Sequence, residues 1–198
     1  AAWHVPADAE DARAGRWVPG PGAALFSALS AEVGGDLPVI AEDLGVITPE
    51  VEALRDAFRL PGMRILQFAF GGEPDHAYLP HTYPERCVVY TGTHDNQTTA
   101  GWWSEIGHDE RSRVEEYLGA PVREPPWELI RLAADSRADL AVFPAQDLLG
   151  LGAEARTNTP GRAEGNWGWR ALPSALDDVV AGRLAEVTAR AGRDGHRR

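Results

Sequence analysis

The chain has 198 residues and a formal net charge of −11, enough length for one sizeable core or for a large part of a bigger domain. That acidity excludes nucleic acid and anionic membrane surfaces as partners. One cysteine, Cys87, excludes an internal disulfide and suits a reducing compartment, so a cytoplasmic location is expected.

Residues 1–22 read as loop, with glycine or proline at five of the last eight positions and no sustained period. Leu25, Phe26 and Leu29 at helical spacing predict a short helix closed by Gly34-Gly35. Leu37–Ala41 reads as a strand. Thr48-Pro49-Glu50 opens a helix, with Thr48 as N-cap, Pro49 at the first position and Val51, Leu54 and Phe58 on the apolar face. "MRILQFAF" at 63–70 predicts a second strand, followed by a long Gly/Pro/His loop. "CVVYTG" at 87–92 is the third strand, and helical stretches follow at 99–104 and 110–118. Residues 127–136 read as another helix and 139–147 as a fourth strand. An amphipathic helix, "SALDDVVAGRLAEVTARA", closes the chain.

Near-continuous apolar strands alternating with helices predict an α/β fold with a parallel sheet covered on both faces. Four strand–helix units fit a doubly wound sheet or half of an eight-fold barrel. In both, the site lies at the C-terminal ends of the strands. Glu42, Asp43, His94, Asp95 and Asp147 fall there. A polar turn would account for either acidic strand end alone; two at equivalent ends of different strands point to a site.

Paired carboxylates at strand ends suit cleavage of a glycosidic bond, and seven tryptophans, among them Trp102, Trp103, Trp167 and Trp169, supply faces for sugar rings or for the core. A metal hydrolase could use His94, Asp95, Glu42 and His81, but no metal-binding spacing supports it. No glycine-rich phosphate loop follows a strand, and no cofactor or metal is expected. No apolar stretch reaches membrane-spanning length. Every basic residue is arginine, which codon bias explains. The start "AAWHVP", without an initiator Met, reads as a piece of a longer protein.

"LPVIAEDLGVITPEVEALR", "LPGMRILQFAF", "VVYTGTHDNQTTAGWW", "QDLLGLG" and "NTPGRAEGNWGWR" occur in this order. Together they resemble the C-terminal part of the bacterial 4-alpha-glucanotransferases, also called amylomaltases. The resemblance runs from about Trp3 to Arg170. It implies residues 1–198 as the C-terminal portion, about four strand–helix units, of a single (β/α)8 TIM-barrel domain. It also implies a retaining transfer between α-1,4-glucans. Glu42 of "AEDLG" would be the general acid/base. Asp95 of "THDN" would stabilise the transition state, with His94 beside it and Asn158 lining the substrate groove. Their neighbours Asp43 and Asn96 are counted with them as substrate-binding. The family's nucleophile lies in an "RIDH" motif that does not occur here, so the chain alone is expected to be inactive. A glucan-binding fragment without activity, or a related α-glucan hydrolase, is the alternative. Thr82, Gln97, Thr157 and Arg162 depart from the residues common in the family, which bears on acceptor preference.

Overall fold

The structure, a computed structural model, describes residues 1–72 and 77–195. Residues 73–76, inside the predicted Gly/Pro/His loop, and the last three residues of the tail lie outside the described residues. The chain divides into two compact units, Ala1–Gly62 and Met63–Arg198.

The first unit opens with an antiparallel pair that the loop reading missed, β1 (Ala2–His4) and β2 (Arg16–Val18), with Trp3 opposite Trp17. Their rings meet edge to face at 5.4 Å, and the Trp3 indole N–H donates to Ala12 O at 2.8 Å. Gly15 has to be glycine: a Cβ there would sit 2.3 Å from Trp3 Nε1. Helix α1 (Ala23–Val33) ends at Gly34, whose φ of 75° is a left-handed cap. Helix α2 (Pro49–Ala57) starts as read, with Pro49 first and Thr48 extended before it. Phe26 and Phe58 hold the unit together at 5.2 Å.

The expected strand at 37–41 does not form; residues 37–44 carry neither helix nor strand. The reason lies in the backbone donors. Pro38 and Pro61 have no N–H, and Val39 N–H turns back to Leu37 O at 2.8 Å. Ala41 N–H to Pro61 O, at 2.8 Å, is the bond that crosses. No ladder forms along 37–44 among the described residues.

The second unit is built on a sheet in the order β3 (Gly62–Ile65), β4 (Cys87–Tyr90), β5 (Leu140–Val142). β4 and β5 run parallel, with Val88, Val89 and Tyr90 opposite Leu140, Ala141 and Val142. Cys87, Val88 and Val89 are fully buried, as a central strand covered on both faces requires. Helices α3 (Thr99–Glu105), α4 (His108–Leu118) and α5 (Pro125–Ala134) supply the cover. The core gathers Leu66, Phe70, Tyr83, Val89, Val114 and Leu129. A second cluster packs α5 against α7 (Asp178–Arg190) through Trp127, Ile130, Ala134 and Val187. There the Arg183 guanidinium stacks over Trp127 at 4.1 Å while pairing with Glu124.

Two strand readings are shortened. β3 stops at Ile65 and coils into a 3₁₀ turn over Leu66–Phe68, which carries the buried Gln67 inward. β5 stops at Val142, and residues 145–148 form a short helix, α6 (Ala145–Leu148). Among the described residues β3 and β5 are the open edges of this sheet. Val39 and Val142 are exposed at 41% and 42%, whereas Ile65, at 1%, is buried. No helix among the described residues is long and apolar enough to cross a membrane.

The core assignment has a direct check. Leu129→Ala should cost about 2–5 kcal/mol of unfolding free energy, the usual range for a fully buried leucine, and Val142→Ala less than about 1 kcal/mol. Denaturant unfolding of the two variants measures the contrast, and equal effects would contradict the described core.

Candidate functional site

Beyond Tyr90 the chain leaves β4 through Thr91 and Gly92, both buried, and turns at Thr93–Asn96. Asn96 closes that turn. Its Oδ1 accepts from Thr93 N–H at 2.9 Å and Thr93 Oγ1 at 2.8 Å, so its carbonyl serves the backbone and does not face outward. Gly92 lets the turn pass: a Cβ would meet Gln67 Nε2 at 2.8 Å, and that nitrogen already donates to Gln97 O.

The turn is anchored from inside by Asp147. The sequence placed this residue at a strand end, but it sits in α6 with no exposed surface. Its Oδ2 accepts from Thr91 Oγ1 at 2.5 Å and Thr99 Oγ1 at 2.7 Å, and its Oδ1 accepts from Thr99 N–H at 2.7 Å. Burial pushes its carboxyl above the usual aspartate value, and these hydrogen bonds pull in the opposite direction. One carboxylate thus holds both flanks of the segment 92–98.

With its flanks fixed, the turn presents His94 and Asp95 outward, their side chains 53% and 48% exposed. His94 Nε2 stands 3.3 Å from Asp95 Oδ1. The same oxygen accepts from Asn158 Nδ2 at 2.5 Å, and Asn158 N–H donates to His94 O at 3.0 Å. Arg156, which the sequence reading did not single out, donates from Nη2 to Asp95 O at 2.7 Å and from Nε to Asn158 O at 2.8 Å. Its signal was its position two residues before Asn158. Gln146 secures the same segment from the core side by donating to Ala155 O and Thr157 Oγ1.

Trp167 completes the cluster. It is one of two non-glycine residues with positive φ among the described residues, at 60°. That turn brings its N–H to Thr157 O at 2.7 Å and its ring to 5.1 Å from His94, while 57% of the residue stays exposed. The other tryptophans divide differently. Trp102 is core, Trp103 packs beside it under the Arg111 guanidinium, and Trp127 belongs to the second cluster.

The acidic pair of the first unit splits in two. Glu42 is exposed and Asp43 buried. Asp43 accepts from Arg55 Nη1 at 2.6 Å, and a Cβ on Gly62 would come within 2.3 Å of its Oδ2. Its geometry is that of an interior ion pair. Among the described residues no group of three or more His, Cys, Asp or Glu side chains converges as metal ligands.

Comparison with known proteins gives a consistent set of relatives. A sequence model for a family described as 4-alpha-glucanotransferase matches residues 1–175. A 4-alpha-glucanotransferase from Synechocystis sp. is 51% identical over 193 residues, covering 96% of this chain and 38% of the relative. One from Thermus thermophilus is 52% identical over 199 residues, with 95% and 40% covered. Among solved structures, amylomaltase from Streptococcus agalactiae in complex with acarbose aligns with a TM-score of 0.90 at 33% identity, over 96% of this chain and 39% of that one. The chain therefore spans about two fifths of the length of the relatives it matches.

Two stability outcomes follow from this geometry. Asp147→Ala strands one N–H and two hydroxyls and should cost about 3 kcal/mol, while Asp147→Asn keeps an acceptor for Thr99 N–H and should cost clearly less. A carboxyl whose folded pKa is raised stabilises the fold below its unfolded value, and that contribution is lost as pH rises through the folded value. The Asn variant should therefore gain on the parent as pH climbs above about 4, as read by thermal unfolding across pH. Arg55→Met should destabilise by roughly 3 kcal/mol, because it removes a hydrogen-bonded cation from the buried Asp43 carboxylate. A shift in melting temperature no larger than that of an exposed arginine would return Asp43 to the surface roles.

Proposed function

Since the chain belongs to the 4-alpha-glucanotransferase family, we propose that the full-length protein moves a segment of an α-1,4-glucan to the 4-hydroxyl of an acceptor glucan. The observation that carries this reading is the Asp95 carboxylate, half exposed yet fixed by Asn158 and flanked by His94 and Trp167. An exposed indole beside a fixed carboxylate offers one face for a sugar ring and one acceptor for its hydroxyls.

In this reading the reaction is a double displacement. Glu42, exposed on an irregular segment, protonates the leaving glycosidic oxygen and later takes the proton of the acceptor hydroxyl. Asp95 accepts hydrogen bonds from the sugar that tighten as the ring flattens toward the oxocarbenium-like transition state. His94 grips the same sugar, and Asn158 lines the groove while steadying Asp95. Asp43, paired with Arg55, and Asn96, whose Oδ1 is taken by Thr93, are counted in this reading with the substrate-binding residues. The nucleophile is an aspartate outside these 198 residues, so the isolated chain binds glucan but does not turn it over. The second unit, with its sheet β3–β4–β5, belongs to the C-terminal portion of a (β/α)8 barrel. A cytoplasmic enzyme accords with the single buried thiol of Cys87.

Incubating the full-length protein with maltotriose distinguishes the outcomes. Transfer gives longer glucans together with glucose, whereas glucose and maltose alone mean hydrolysis. Glu42→Gln keeps the shape and removes the titrating proton, so transfer should fall by about 10²–10⁴ while glucan binding persists. A loss under roughly tenfold would remove Glu42 from the acid/base role. Asp95→Asn should lower kcat more than it raises KM; a change in KM alone would make it a binding residue only. Acarbose, bound in the Streptococcus agalactiae structure, should inhibit the parent enzyme.

A further inference from the structure

The turn carrying Asp95 and the segment 156–158 are far apart in sequence, and three hydrogen bonds join them. Asn158 N–H reaches His94 O, Asn158 Nδ2 reaches Asp95 Oδ1, and Arg156 Nη2 reaches Asp95 O. A fourth, from Arg156 Nε to Asn158 O, braces the segment itself. Arg156 makes two of the four bonds and touches no reacting atom in the proposed chemistry.

We propose that Arg156 is a positioning residue for Asp95: its guanidinium spans Asp95 O and Asn158 O, and so fixes the point at which Asn158 Nδ2 meets Asp95 Oδ1. The inference rests on the reading of Asp95 as the residue that stabilises the transition state. Three features carry it. Asp95 is 48% exposed, so burial does not hold its carboxylate in one rotamer and some other constraint has to. The two donors lie side by side on one planar group, which matches two carbonyls on neighbouring segments; an ammonium offers a point charge without that fixed fork. Oδ1 is approached from the protein side by both Asn158 and His94, whereas among the described residues Oδ2 has no hydrogen-bond partner. The clamp therefore decides which carboxylate oxygen faces a sugar hydroxyl and at what angle. Misplacement of a reacting group by about 1 Å is worth about a hundredfold in rate.

The test uses the full-length enzyme with Arg156→Met and Arg156→Lys. Arg156→Met should lower kcat for maltotriose transfer by about tenfold to a hundredfold with KM within about twofold. Arg156→Lys, able to reach one carbonyl at a time, should fall between the two. In an Asp95→Ala background the Met substitution should add no further loss, because its route runs through Asp95; a merely structural role would lower kcat there as well. Hydrogen–deuterium exchange gives a readout that does not need activity. Peptides covering 93–97 and 156–160 should exchange faster in Arg156→Met than in the parent. If the parent fails to lengthen maltotriose, the functional reading falls, and the exchange result still decides whether the clamp exists. Unchanged exchange in both peptides, an unchanged kcat, or an equal loss in the Asp95→Ala background overturns the proposal.

Discussion

The candidate site depends on one carboxylate that has almost no contact with water. Asp147 ties Thr91, just past the end of β4, to Thr99, the first residue of α3. Burying an ionised carboxyl is costly, and three donors aimed at it offset that cost without removing it, which is why its pKa stays raised. The return for this arrangement is geometric. Seven residues between two fixed threonines have little freedom left, and Gly92 and Asn96 use it to fold the turn tightly against Gln67 and Thr93.

What stands on the turn is organised in layers of decreasing burial. The carboxylate of Asp147 lies beneath, the backbone of 91–99 is held by it, and His94 and Asp95 reach into solvent. The segment 156–158 then closes from the side, fastened to the core by Gln146 and to the turn by Asn158 and Arg156. Rigidity is thus imported from the interior to side chains that are themselves half wet, which is what a group facing a polar substrate requires.

The sequence disclosed the outward half of this arrangement better than the inward half. An apolar strand running into polar residues marked His94 and Asp95, because burial of β4 and exposure of the turn beyond it leave a local pattern of residue types. The same logic misplaced Asp147, since an acid after an apolar run reads alike whether it faces solvent or three hidden donors. Asp43 was separable in principle: adjacent residues on an extended backbone point to opposite sides, so one of the pair had to turn inward. The strand predicted at 37–41 failed because a strand is completed by its neighbour's donors, and two prolines withhold them. The hairpin of β1 and β2 was invisible because three residues in each arm are too few to show alternation. Trp102 and Trp167 could not be told apart by residue type; one sits in the core and the other lies open beside His94.

The arginines have a consequence of their own. Several spend their charge on backbone carbonyls: Arg111 on Trp103 O, Arg113 on Phe70 O, Arg156 on Asp95 O, Arg170 on Trp167 O and Trp169 O, and Arg193 on Ala134 O and Ser136 O. Each closes a loop or a helix end with a planar fork of donors that reaches a carbonyl at a fixed angle. A lysine in the same seats would offer a point charge without that fixed fork. Loop closure in this chain therefore rests on the shape of its cation as well as on its charge, and exchanging arginine for lysine at these seats should loosen loops without unpairing acids.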